Sequence, residues 1–310
     1  MVKKIKSLIR PPKLNLGDKV GVVTPAGPID KSQLKKGLGV ISAMGFQPVL
    51  GKYVYSRSRY FAGTDLQRAK DIMSMVCNPK IKAIFCARGG YGTNRVLEHL
   101  DAKTIRAHAK IFVGSSDITL LLHYLYLYCG LVGFHGPMIE GSFGRTPMKK
   151  SQEQFKNILM GQPSSLFCRK AKVFSKGTAS GKITGGCLTL LCRSLGTPYD
   201  IQTKNKILFI EDVNEPFYKL DGMLWQLKAA GKFEGVRGVI FGEMINCKPQ
   251  KSKDGKLEDI LSDLFPKPKI PILTHCPIGH SNEIWTLPLE TQARLETSKK
   301  TLELKNCGVK

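Results

Sequence analysis

The chain has 310 residues, 42% of them hydrophobic, with 48 Lys and Arg against 24 Asp and Glu for a formal charge of +24. That size supplies a real core and favours two domains over one; with no secretory apolar region after Ser7-Leu8-Ile9 and no run of about 18 apolar residues, a cytoplasmic protein without a membrane partner is expected. The lysines are spread in ones and twos, without interleaved aromatics or a helix-turn-helix or zinc-finger spacing, so nucleic acid is a poor partner and a solvated basic surface that draws in an anionic substrate a better one.

Along the first half, short β-branched runs alternate with amphipathic segments. KVGVVT is a predicted strand, PIDKSQLKKGLGVISAMG a helix closed by Gly45, QPVLGKYV a strand, and DLQRAKDIMSMVCN a helix opened by Asp65. IKAIFCA, TNRVLEHL, KIFVG and SDITLLLHYLYLYCG continue the alternation as strand, helix, strand and helix. Such alternation implies a parallel sheet covered on both faces, with ligands beyond the carboxyl ends of its strands. The unusual residues fall at those ends: TPAGP, ARGGYG and GSSD.

From 145 to 180 the periodicity weakens to one modest helix among Gly, Ser and Lys, which predicts a crossing between domains. The expected division is an N-terminal domain over 1–145, a linker over 146–180 and a C-terminal domain over 181–310. In the last of these, CLTLLCRSLG, YKLDGMLWQLKAAGKF and a segment after the charged loop NCKPQKSKDGKLED are predicted helices. KILFIEDV, GVRGVIFGEM, PILTHCPIG and ARLETSKKTLEL are predicted strands.

ARGGYGTNRV follows a strand and opens a helix, the setting of a dinucleotide fingerprint, but the third glycine is replaced by Arg95 and no P-loop exists. A glycine-rich turn remains, whose N–H groups suit an oxyanion or simply a tight strand-to-helix bend. His135 in GFHGPM and His280 in PIGHSNEIWTLP lie in Gly/Pro-framed loops; His99, His108 and His123 sit in helical patterns. Glu211 and Asp212 end an apolar strand and Glu215 follows, so each is a candidate acid, helix cap or ion-pair partner. Ser115 and Ser116 are ordinary N-cap residues, and equally a serine on a sharp strand-to-helix turn projects its Oγ clear of the sheet above a positive helix end. The nine cysteines form no CxxC pair, so neither a metal nor a disulfide framework is expected.

Taken in order, LNLGDKVGVVTPAGPI, ARGGYGTNRVLEHLD, FVGSSDIT, FHGPM, GGCLTLLCRSLGTPYD, LFIEDVNEPFYKLDGMLWQL, VRGVIFGEM and CPIGHSNEIWTLPLE resemble the LD-carboxypeptidase family of serine peptidases. The family includes muramoyl-tetrapeptide carboxypeptidases and microcin-immunity hydrolases. The resemblance implies an α/β fold: a flavodoxin- or Rossmann-like parallel-sheet domain and a smaller mixed β/α, swivelling and barrel-like, C-terminal domain. It implies Ser116 as nucleophile, Glu211 as acid and His280 as base, with the backbone of Asp117 and Gly90 as oxyanion hole, and no cofactor. Arg88 and Gly89 are implied substrate contacts, the substrate a murein tetrapeptide losing its terminal D-alanine, and the assembly a homodimer. The alternative within the family, hydrolysis of peptidyl or aminoacyl adenylates, calls for an aromatic platform in 145–180, where only Phe155, Phe167 and Phe174 stand. The sequence departs from the pattern at Cys187, where Asn is usual, at Glu290, where Gly is common, and in a loop after His280 about one residue short.

Overall fold

A computed structural model describes residues 7–145, 148–162 and 165–310. They divide into two compact units, the first of Met1–Ser164, Asn282–Leu289 and Asn306–Lys310, the second of Ser165–Ser281 and Glu290–Lys305.

The first unit begins with β1 (Lys19–Val23), α1 (Lys31–Ala43), β2 (Gln47–Leu50), α2 (Asp65–Cys77) and β3 (Ile81–Cys86). It continues through α3 (Thr93–Val96), α4 (Ala102–Ala107), β4 (Ile111–Gly114), α5 (Thr119–Tyr124), β5 (Phe134–His135) and α6 (Lys149–Leu159). Caps set the helix starts: Asp30 accepts from the Gln33 N–H, and Thr64 forms a reciprocal capping box with Gln67. The strands run β2-β1-β3-β4-β5, all parallel, the order in which a ligand crevice opens between β1 and β3. Val20, Val22, Ile84, Phe112 and Phe134 are buried in its core.

Three predicted elements differ in extent. β2 stops at Leu50 because Gly51 begins a turn held by Asp71, whose Oδ2 accepts from the Tyr53 N–H at 2.9 Å. The helix predicted over TNRVLEHL is only α3 followed by a 3-10 turn at Leu97–His99. SDITLLLHYLYLYCG is a 3-10 turn at Ser116–Ile118, then α5, then a wide π-type turn at Leu125–Cys129, stopped by Gly130 in the left-handed region at φ 61°.

The second unit carries β6 (Ser165–Phe167), β7 (Lys172–Ser175), β8 (Thr178–Cys187), α7 (Leu188–Ser194), β9 (Lys206–Glu211), α8 (Phe217–Ala229), β10 (Gly238–Gly242), α9 (Leu257–Leu264) and β11 (Ile272–Cys276). The chain then re-enters the first unit as β12 (Leu287–Pro288), antiparallel to β5, before returning as β13 (Gln292–Glu296) and β14 (Thr301–Leu304). The second sheet runs β6-β14-β13-β8-β9-β10-β11-β7, with β8 to β11 parallel and the outer strands antiparallel. Leu188, Leu191, Leu220, Leu224 and Leu261 of its helices pack with Leu208, Ile210, Val239 and Phe241 of its strands.

The units do not follow chain order as the 145 and 181 boundaries do. α6 belongs to the first unit, and it also anchors the returning segment: Ser151 Oγ accepts from Ile284 N–H at 2.8 Å, and the Gln154 amide bonds both N–H and C=O of Thr286 at 2.8 and 3.0 Å. The stretch read as patternless holds β6, β7 and the start of β8. Short edge strands bury little on either face, so they leave no side-chain period to read. ARLETSKKTLEL, predicted as one strand, is the hairpin of β13 and β14, turned at Lys300 with φ 53°.

Candidate active site

In the first unit the turns after β1, β3 and β4 meet. Gly27 N–H donates to Gly89 C=O at 3.0 Å, and Ala87 N–H to Val23 C=O at 2.8 Å. A Cβ placed on Gly89 would lie 3.0 Å from Ser116 Cβ, 3.2 Å from its Oγ and 3.3 Å from Asp117 N. Only glycine lets the ARGGYG turn approach the serine so closely. Gly90, at φ 109°, faces Gly27 instead.

Ser116 has φ 59°, the left-handed region that non-glycine residues rarely occupy and that functional turns do. It is half-buried, whereas Ser115, an extended residue just before it, is 1% exposed. The two serines, equivalent as caps in sequence, are thereby distinguished.

Two groups that sequence reasoning missed hold these turns. Asp117 Oδ2 accepts from Thr93 N–H at 2.7 Å, tying the start of α3 to the serine turn. Arg68 on α2 is 1% exposed and donates to the carbonyls of Pro25 and Gly92 while pairing with Asp65. Its sequence signal is the i,i+3 spacing of Asp65, Arg68 and Asp71 along α2, which places the arginine beside carboxylates on one helix face. Arg88 donates to Pro28 C=O at 2.6 Å and lies 3.8 Å from the buried Glu140, so both ends of its guanidinium serve the loop after β1 and the segment after β5.

In the second unit His280 Nδ1 lies 2.7 Å from Glu211 Oε2. Glu211, the last residue of β9, is fully buried, and His280 keeps 22% of its side chain exposed. Burial raises the Glu211 carboxyl above the usual range, opposed by the neighbouring His280. The pair is enclosed by glycines: a Cβ on Gly242 would lie 2.8 Å from Glu211 Cβ, and one on Gly279, at φ 92°, would overlap Glu211 Oε2.

The other acids have separate duties. Asp212 accepts from Thr189 N–H and Oγ1 at 2.9 and 2.8 Å, securing the first turn of α7. Glu215 lies 3.9 Å from Lys219 in a half-exposed i,i+4 pair. His135, read as a loop residue, is fully buried within β5, opposite Leu287 of β12 and Gly114 of β4.

Two of the three departures noted in sequence, Cys187 and Glu290, have defined local surroundings. Cys187 is buried against Asp212, its Sγ 3.6 Å from Oδ1, and burial pushes its thiol well up. Glu290 occupies φ 62°, a conformation suited to glycine, and its carboxylate meets the buried Lys206 Nζ at 2.6 Å. Burial pulls Lys206 down and Glu290 up, each opposed by the other's charge. Lys206→Met is therefore expected to cost about 3–5 kcal/mol by leaving a buried carboxylate without its cation. Lys206→Met with Glu290→Gly should recover most of that loss, because both charge and left-handed strain go; denaturant unfolding of the two variants checks this.

None of the nine cysteines forms a disulfide, and among the described residues no three His, Cys, Asp or Glu side chains cluster as metal ligands. No helix among them is long and apolar enough to cross a membrane.

Residues 20–136 match the family model of the LD-carboxypeptidase N-terminal domain, and 180–295 that of the LD-carboxypeptidase C-terminal domain. Among similar proteins is one named "Probable murein peptide carboxypeptidase" from Bacillus subtilis, 36% identical over 296 residues, covering 94% of this chain and 93% of that protein. The crystal structure of muramoyltetrapeptide carboxypeptidase from Oxalobacter formigenes is 30% identical, with a TM-score of 0.81 over 92% of this chain and 97% of that one. The microcin C7 self-immunity protein MccF of Escherichia coli, in complex with aspartyl sulfamoyl adenosine, is 25% identical, with a TM-score of 0.89 over 96% and 98%.

Proposed function

This chain belongs to the LD-carboxypeptidase family, and from that premise we propose that it is a serine-type murein tetrapeptide carboxypeptidase, releasing the terminal D-alanine through an acyl-enzyme on Ser116. The observation that carries the reading is the buried Glu211 bonded to His280 at 2.7 Å, on a chain where Ser116 is the one serine in the left-handed region among the described residues.

Glu211 holds the His280 ring in the tautomer whose Nε2 accepts a proton. His280 takes the Ser116 hydroxyl proton as Oγ attacks the carbonyl before D-alanine, and returns it to the leaving amine. The backbone N–H of Asp117, with that of Gly90 or its neighbour Gly89, stabilises the tetrahedral oxyanion, a donor worth about 2.7–4 kcal/mol each. Water activated by His280 then hydrolyses the acyl-enzyme. The free carboxylates of the peptide suit the +24 chain.

Arg88 is committed to Pro28 and Glu140, so we assign it to shaping the site rather than to clamping the substrate carboxylate. The family resemblance supports a cytoplasmic homodimer, checked by light scattering and cell fractionation.

Incubation with disaccharide tetrapeptide, followed by mass spectrometry, should show loss of one alanine. Cleavage of an aminoacyl sulfamoyl adenosine with the tetrapeptide left intact would move the assignment to the MccF-like reading, whose support is the likeness to MccF as a relative.

A further inference from the structure

Beside the glycine turn of the first unit lies a feature the triad does not use. Tyr60 and Tyr91 are 56% and 40% exposed, 31 positions apart in the chain, yet their ring centroids are 6.0 Å apart. Both pack on the buried Phe61, at 4.4 and 5.7 Å. Arg59, held at φ 56°, lays its guanidinium 5.4 Å from the Tyr60 ring and 5.5 Å from Phe61. Arg95 covers Phe61 at 5.3 Å and is pinned by Asp65 at 2.8 Å. Arg59 has no carboxylate partner among the described residues, and its side chain is exposed.

Large rings held at the surface from two loops give up burial that a core would provide, which marks a binding surface. The patch adjoins the nucleophile turn. Tyr91 is two residues past Gly89, which packs on Ser116, and a Cβ on Gly27 would lie 3.8 Å from Tyr60 C=O and 3.1 Å from Gly89 C=O. Two extended residues span about 7 Å, and a tyrosine ring reaches further. In a muramoyl tetrapeptide the three residues ahead of the scissile bond span about 10 Å to the sugar.

The ring planes are tilted by 33° to 52°, which makes an uneven surface. A flat nucleobase is best held by a parallel wall; a chair-shaped pyranose rests its C–H face on separate tilted rings, and the phenol tips offer polar contacts at its rim. A free guanidinium alongside suits the carboxylate on the peptide near the sugar.

Building on the proposed carboxypeptidase function, we propose that Tyr60, Tyr91 and Arg59 form a subsite for the glycan end of the muropeptide. The tyrosines stack on the N-acetylated sugar next to the peptide and determine preference for glycan-bearing over free tetrapeptide, while Arg59 binds the peptide carboxylate nearest to the sugar, which both ligands carry.

The test is titration calorimetry on the full chain carrying Ser116→Ala, so that neither ligand turns over. Disaccharide tetrapeptide should bind more tightly than free tetrapeptide. Adding Tyr60→Ser and Tyr91→Ser should weaken the disaccharide ligand about tenfold and leave the free peptide unchanged. Tyr91→Phe keeps the ring and should retain the preference, and matching melting temperatures establish that the exposed changes leave the fold intact. Equal affinity for the two ligands before the tyrosine changes, or an equal fall for both after them, overturns the subsite. So does a selective loss of aminoacyl sulfamoyl adenosine binding. The catalytic reading fails by a different result: wild-type protein that releases no D-alanine from either peptide, whatever the binding preference.

Discussion

Ser116→Ala is expected to lower D-alanine release from murein tetrapeptide by at least about a thousandfold, the scale on which hydrolases lose turnover when the nucleophile of a Ser-His-acid set is removed. The residue sits in a left-handed turn at φ 59°, half-buried, with Gly89 packed on it. Alanine fits the same space, so the melting temperature should change little. Ser115→Ala is the matched control: Ser115 is buried at 1% and faces away from solvent, so it should affect stability more than turnover. Stopped assays with mass detection, alongside thermal unfolding, compare the two. Full activity in Ser116→Ala would remove the serine mechanism.

Glu211→Gln is expected to reduce kcat by about 10⁴, because an amide in place of the carboxylate leaves the imidazole free to take the wrong tautomer and fails to stabilise the imidazolium. The geometry stays nearly isosteric, and the buried position loses a charge whose desolvation already raises its carboxyl. Stability should therefore hold or rise while activity collapses, a split that separates a positioning acid from a structural one. Gly279→Ala probes the same pair through space. At φ 92° any side chain is strained, and its Cβ overlaps Glu211 Oε2. It should lower both the melting temperature and kcat, with KM for the tetrapeptide less affected. An active, stable Gly279→Ala protein would mean that the 2.7 Å bond between His280 and Glu211 is dispensable.

The first unit was legible in the sequence almost strand by strand, because buried parallel strands are short apolar runs and the helices between them carry a 3.6 period. The three turns at the strand ends were legible as well, since proline, glycine and serine punctuate them. The edges were not. β6, β7 and β12 are two to four residues long and held by backbone pairing, and β12 returns to a sheet that the chain left more than a hundred residues earlier. No local pattern encodes that return.

The sequence by itself determined the family, the order of strands and helices in the first unit, and the residue types for acyl transfer, because these depend on local periodicity and on short motifs in a fixed order. The family resemblance singled out Ser116, Glu211 and His280, and the tertiary structure supplied the settings that local sequence does not hold: Ser116 differs from Ser115 in backbone conformation and burial, Glu211 reaches a histidine where Asp212 secures a helix, and His280 is partly exposed where His135 is buried. The tertiary structure also explained Glu290, whose left-handed backbone is paired with a buried lysine 84 positions away. Hydrogen bonds and steric approach between distant segments are set by packing, and neighbours in the chain carry no record of them.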